Sequence, residues 1–360
     1  MVEARSIEAL SVCFTAGALA GTVAAGGAAC SLSPVFLLLA AAPVFFRKPL
    51  TRLREPLATG LILASFLFLG CFSALSASIP FRGNGFLQEG LPQRAVEGLR
   101  SLIGRIPFPS GKTAPLLTAL LTGDRSGLSA DTVAAFRGSG ASHILALSGL
   151  HLGILYMLLD KLTRPAGNTP ALRVARSASI VLAAGFFTLM TGASPSLVRA
   201  FLFITINETL LLLGRPRKAS RVLCLALLVQ LVLDPGVLKS LGFQLSYLAM
   251  GGIFFLYPHL EKWYPEGPKW DPMRRIWQAA ALSISCQLTT APLAWLRFHT
   301  FPTYFLLTNL LAIPLTTLLM TSAVLTVGLS ALGLCPDLLI TATDGLSRLL
   351  QWTLEIIAGM

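Results

Sequence analysis

Charge is scarce in this chain, and acid scarcer than base. Lys and Arg number 28 and Asp and Glu 16 among 360 residues, 12% of the sequence together. Soluble domains carry about twice that share, so a water-facing surface is excluded for most of the length. Cysteine offers no framework either. Cys13, Cys30, Cys71, Cys224, Cys286 and Cys335 are scattered, mostly within apolar runs, with no C-x-x-C pair. They read as small apolar side chains rather than disulfide or zinc partners, and no cofactor is expected. An H-x-H-x-D-H metal pattern is absent, which excludes the common binuclear nuclease. Ser110-Gly111-Lys112-Thr113 ends like a phosphate loop, but Ile106 stands where the first glycine belongs. Any ATP-driven motor must therefore be another protein.

What the chain has in quantity is long apolar sequence, with a mean hydropathy of +0.73. Runs able to cross, or nearly cross, about 30 Å of hydrocarbon are Ile7–Ala29, Ser31–Phe46, Leu57–Ile79, His143–Leu159, Val174–Thr191, Ser196–Leu213, Val222–Leu233, Leu241–Tyr257 and Ile276–Leu296. Ile7–Ala29 could pass for a signal peptide. Arg5 is offset by Glu3 and Glu8 and a second run begins at Ser31, so a retained helical hairpin is expected. Tyr304–Leu334 is about 45 Å long as one helix, and with Asn309 and Pro314 inside it is expected to break into two pieces. The fold class is all-α: a polytopic integral membrane protein of about nine to eleven membrane segments, with interfacial amphipathic helices.

The net charge of +12 mostly serves orientation. Arg47, Lys48, Arg52 and Arg54 oppose only Glu55; Lys161, Arg164, Arg173 and Arg176 oppose only Asp160; Arg215, Arg217, Lys218 and Arg221 meet no acid. The excess of Lys and Arg in cytoplasmic loops places all three inside. Residues 81–113 then fall in an outside segment, where Leu91, Ala95, Leu99, Leu102 and Ile106 recur at helical spacing behind Pro92. An amphipathic helix on the outer membrane surface is expected there. Its basic patch, Arg94, Arg100, Arg105 and Lys112, suits a phosphate backbone or anionic lipid equally. From Asp337 to Ile357, a stripe of Leu339, Ala342, Leu346, Leu349, Thr353 and Ile357, with Asp344 and Arg348 as an i,i+4 pair, reads as a C-terminal interfacial helix. No soluble domain is expected after it.

Polar residues inside the apolar runs are costly and therefore informative. Gly138–Tyr156, GSGASHILALSGLHLGILY, sets His143, Ser148 and His151 in one run. On a continuous helix the histidines lie about 12 Å apart along the axis, too far to share a metal unless Gly149 breaks the helix, and no metal site is expected. Ser148 and His151 are one turn apart, which leaves three roles open: packing, lining of a polar path, or a hydrolytic pair. Thr191–Ser196 forms a tight turn with Arg199 in the first turns of the next helix. Arg199 and Glu208 face opposite sides of it, and each needs another partner. Gln244, Gln287 and Asn309 place one amide on each of three later segments, as helix contacts or as a polar seam.

The run GDRSGLSADTVAAFRGSGASHILALSGLHLG, Gly123 to Gly153, resembles the central motif of the ComEC family of bacterial competence proteins. TGASPSLVRA from Thr191, DPGVLKSLGFQLS from Asp234 and QLTTAPLAWLRFHTFPTYFLLTNLLAIP from Gln287 resemble later blocks of the same family in the same order. The resemblance implies a bacterial plasma (inner) membrane channel component that passes single-stranded DNA during natural transformation, a transport role rather than an enzymatic one. Its partners would be membrane lipid and separate DNA-receptor, nuclease and cytoplasmic helicase proteins. It implies pathway roles for His143, Ser148, His151, Arg199, Gln244, Ser246, Gln287 and Asn309, and structural roles for Gly123, Asp124, Gly149, Gly192 and Pro195; Glu208 joins the pathway candidates on its cost of insertion alone. The family's OB-like and metallo-β-lactamase-like domains find no counterpart in these residues, so nuclease activity is not carried over. The chain divides as 1–80, N-terminal transmembrane helices; 81–113, the outside segment; 114–334, a competence-type core; and 335–360, the interfacial helix. An intramembrane serine hydrolase built on Ser148 and His151, and a small-molecule permease, stand as alternatives.

Overall fold

The computed structural model describes residues 5–23, 64, 66, 67, 69, 70, 90–167, 169–265, 271–299 and 302–360. The expected span Ser31–Phe46, the basic loop at 47–56 and most of Leu57–Ile79 lie outside them. Every regular element among the described residues is helical: α1 (Arg5–Val23), α2 (Leu91–Arg105), α3 (Thr113–Thr122), α4 (Ala130–Gly138), α5 (Ser142–Leu145), α6 (Gly149–Thr163), α7 (Pro170–Met190), α8 (Pro195–Leu212), α9 (Ala219–Leu233), α10 (Leu241–Phe255), α11 (Tyr257–Glu261), α12 (Pro272–Phe298), α13 (Phe305–Ala331) and α14 (Asp337–Ala358). Among the described residues, five helical segments are long and apolar enough to cross a membrane: α7, α8, α10 running on through α11, α12 and α13. Leu182, Phe186, Leu296 and Leu318 on them are exposed, as hydrocarbon-facing side chains should be. The protein is an integral membrane protein of the all-α class.

The chain forms two compact units, one of residues 1–87 and 201–244 and the other of 88–200 and 245–360. In the first, α1 packs against α9 and a 3-10 turn, Pro235–Lys239. Asp234-Pro235 ends α9 as the sequence requires, because proline cannot continue the backbone ladder. Gly17 meets the backbone of Leu67 and Gly70 that of Phe14, an approach that only a missing Cβ permits.

The second unit has a continuous core. Ile103 and Ile106 of the α2 end, Leu116, Leu117 and Leu120 of α3, Phe136 of α4, Ile144 of α5, and Leu319 and Ala323 of α13 belong to it, with Leu350 and Leu354 of α14. This corrects the reading of α2 as a helix laid on lipid. Leu99, Leu102 and Ile103 turn its apolar face onto α3 and the protein core, leaving only the first turn, with Leu91 78% exposed, without such cover.

Two further expectations are corrected. The stretch 304–334 holds one unbroken helix, α13 (Phe305–Ala331), with Pro314 inside it. A proline removes one ladder bond, but within a membrane bundle the freed groups are re-satisfied locally and the helix persists. The buried stripe of α14 is Ile340, Thr343, Asp344, Ser347, Leu350, Gln351, Leu354 and Ile357, rotated from the one read in the sequence. Asp344 does not pair with Arg348, which is exposed. Its carboxylate accepts the Thr113 hydroxyl at 2.6 Å and the Ser110 N–H at 3.1 Å. Thr113 also lies 3.2 Å from Ser347, whose Oγ accepts the Gln351 amide at 3.2 Å. The apparent phosphate-loop ending is thus the strap that ties α3 to α14.

Candidate functional site

The run His143–Leu159 is not one span. α5 ends at Leu145, Ala146 is extended, and Ser148, at φ −132° and ψ 171°, caps α6. A serine or glycine run flanked by small residues favours such a break, because Ser148 offers its hydroxyl to the free N–H groups of the new helix. Its Oγ accepts the Leu150 N–H at 3.3 Å, and His151 Nδ1 accepts the Ser148 N–H at 3.2 Å and lies 3.2 Å from Ser148 Oγ. This is a reciprocal capping box with histidine in the place usually held by glutamate or glutamine. The pair expected from one-turn spacing is therefore present, and capping accounts for its contacts. His151 is 2% exposed. His143 is separated from it by the break, stands exposed, and has Nδ1 3.1 Å from the Gly140 carbonyl.

The turn after α7 has Gly192 at φ 82° and Ala193 at φ 48°, which reverses the chain and starts α8 at Pro195. Arg199 follows in the second turn of α8, half-buried. Its Nη1 donates to the Ser246 carbonyl at 2.7 Å, and its guanidinium lies 5.8 Å from the centre of the Tyr247 ring. A Cβ added to Gly149 would stand 3.3 Å from Arg199 Nη2 and 3.4 Å from the Ala200 Cβ. Four of the sequence candidates, Ser148, Gly149, His151 and Arg199, therefore meet at the head of α6, together with the backbone of a fifth, Ser246.

Other candidates lie elsewhere. Gln244 donates to the Leu238 carbonyl at 2.6 Å, holding the 3-10 turn within the first unit. Glu208, in the first unit, is 2% exposed. Gln287 is half-buried on α12. Asn309 Oδ1 is buried without a hydrogen-bond partner, while its neighbour Thr308 donates to the Ser139 carbonyl at 2.7 Å.

Gly123 ends α3 at φ 81°, a left-handed cap that favours glycine. Asp124 accepts the Ser126 N–H at 3.0 Å and pairs with Arg100 at 3.1 Å. The Ser126 backbone and side-chain bonds, helped by the Arg100 charge, hold the Asp124 carboxyl below its ordinary range. Of the basic residues expected outside, Arg94, Arg100, Arg105 and Lys112 are all exposed, and Arg100 is paired with Asp124. No group of three His, Cys, Asp or Glu suited to a metal occurs among the described residues.

The sequence reading missed Tyr247 and the Thr113–Asp344–Ser347–Gln351 network. A signal for the network was available, since Thr343, Asp344, Ser347 and Gln351 recur at three- and four-residue intervals and so share a helix face. Tyr247 carried no comparable mark.

Residues 120–360 match the family model described as Competence protein. The chain belongs to the competence protein family. Among curated relatives it is similar to ComE operon protein 3 of Bacillus subtilis (strain 168), 27% identical over 199 residues, covering 55% of this chain and 24% of that protein. It is equally similar to the uncharacterized protein YcaI of Escherichia coli (strain K12), 27% identical over 210 residues, covering 56% of this chain and 27% of that protein. The matched stretch spans about a quarter of each relative. No solved structure matches. The whole assembly at the head of α6 falls within the residues that the competence model covers.

Proposed function

We propose that this competence protein acts in the bacterial inner membrane, as the component through which single-stranded DNA enters the cytoplasm during natural transformation. The reading rests on the competence family and, above all, on one observation. Arg199 sits on a helix apolar enough to cross a membrane and meets the break between α5 and α6. A permanent positive charge is expensive on a helix that crosses hydrocarbon and is kept where a polar route needs it. Exposed Arg94, Arg105 and Lys112 would gather the phosphate backbone, and selectivity would be independent of sequence because phosphate charge carries no code. Pulling force would come from a cytoplasmic helicase, and a receptor and nuclease would be separate proteins.

Deleting the gene in a naturally competent host and counting transformants tests this. A collapse of transformation with DNA still bound at the cell surface is the expected result; unchanged transformation would refute it. The 3.2 Å approach of Ser148 to His151 favours a second reading, an intramembrane hydrolase. Labelling by a serine-directed probe, abolished in Ser148→Ala, would establish it.

A further inference from the structure

A guanidinium stays charged at every accessible pH and offers five N–H donors in a planar fork. In a membrane-crossing helix such a group is ordinarily neutralised by a carboxylate. Among the described residues no Asp or Glu oxygen lies within 4.0 Å of Arg199; the ion pairs found there are Arg100–Asp124 and Arg164–Asp160. What holds Arg199 is neutral: the Ser246 carbonyl at 2.7 Å on Nη1 and the face of Tyr247 at 5.8 Å. A carbonyl and a ring face fix the position of the fork without cancelling its charge. Nη2 reaches the first turn of α6 at Gly149, where a methyl group would stand 3.3 Å away. Glycine at 149 thus gives the fork room beside the helix start.

We propose that Arg199, seated on Tyr247 and cleared by Gly149, is a binding site for a phosphate diester. Arginine matches two non-bridging phosphate oxygens with two parallel N–H bonds. A diester keeps its single negative charge at any physiological pH, so it neutralises the fork without losing its own charge to a proton. That chemistry is presented by a DNA backbone and by a phospholipid headgroup. Naming DNA as the source rests on the uptake function proposed above; the site itself does not.

The test uses the full chain purified into phosphatidylcholine nanodiscs, with a fluorescent thymidine 20-mer and its uncharged methylphosphonate counterpart as probes. The charged strand should bind, and Arg199→Gln should weaken it about tenfold or more, the effect of losing a charge-assisted contact. Gly149→Ala, which leaves the arginine in place but crowds Nη2, should weaken it in the same direction. Arg199→Lys, which keeps the charge but not the planar fork, should bind better than Arg199→Gln and more weakly than the wild type, and monodisperse elution of each variant shows that it is folded. Charged-strand binding unchanged in Arg199→Gln, or equal binding of the uncharged strand, overturns the proposal. A third arm uses phosphatidylglycerol nanodiscs and native mass spectrometry. If the strand does not bind, but phosphatidylglycerol is retained by the wild type and lost from Arg199→Gln, the phosphate site stands with lipid as its ligand. The DNA-uptake function then falls.

Discussion

Asp344 and Arg199 are both charged side chains drawn into the second unit, and the protein treats them in opposite ways. Asp344 is 3% exposed and satisfied by its surroundings: the Thr113 hydroxyl and the Ser110 N–H donate to its carboxylate, while Ser347 and Gln351 extend the network. Arg199 is half-buried and is given one carbonyl and one ring face. A buried polar network with every member satisfied fixes one arrangement of helices and leaves nothing for a ligand. A charge held in place with donors unspent is prepared for something that arrives from outside. The same cost of burial thus marks a structural joint in one place and a functional candidate in the other, and the hydrogen-bond partners decide between them.

Substitutions can break this contrast. Asp344→Ala should have the largest effect on folding, because it takes the acceptor from the Ser110 N–H and leaves the buried Thr113 hydroxyl with Ser347 alone. A loss of about 3 kcal/mol is expected, seen as a marked fall in thermal unfolding temperature in detergent; an unchanged temperature would place Asp344 among the dispensable groups. Arg199→Gln should do the reverse. Transformation frequency should fall about tenfold or more while stability changes by about 1 kcal/mol or less, since a single hydrogen bond to the Ser246 carbonyl is lost or replaced by one from the amide. Equal losses in both measurements would reduce Arg199 to another joint. Ser148→Ala removes the cap of α6 and should cost about 1 kcal/mol, with faster amide exchange at Leu150 and His151 as its local signature.

The smallest effect concerns acid. Asp124 has its carboxyl held below the ordinary range, chiefly by the Ser126 N–H. A group with a lowered folded pKa stabilises the protein above the unfolded carboxylate range and loses that contribution as pH falls through the folded value. Stability should therefore decline below about pH 4, less steeply in Asp124→Asn. The contribution stays under about 1 kcal/mol because Arg100, its ionic partner, is well exposed.

Much of the fold was legible because hydrocarbon imposes a simple rule on composition. The expected runs Val174–Thr191, Ser196–Leu213 and Ile276–Leu296 correspond to α7, α8 and α12, and the tight turn at 191–196 forms where the small residues indicate. Breaks were harder to read. Proline at 314 suggested an interruption that the bundle suppresses, while Ser148-Gly149, without any proline, produces a real one. Both outcomes depend on whether nearby groups can satisfy the freed backbone, which local sequence does not state. The site was legible as a set of residues but not as a geometry. Ser148, Gly149, His151 and Arg199 were all candidates, yet their meeting depends on how α6, α8 and α10 pack. Gln244, by contrast, is open in the sequence between a helix contact and a polar seam, and its amide bonds the carbonyl of a 3-10 turn.

The uninterrupted course of α13 has a mechanical side. Its 27 residues measure about 40 Å against roughly 30 Å of acyl chain, so the rod must either lean by about 40° or push about two turns into the headgroups. Since α14 is packed along it and is strapped through Asp344 to α3, a change in bilayer thickness that alters the inclination of α13 pulls on all three helices together.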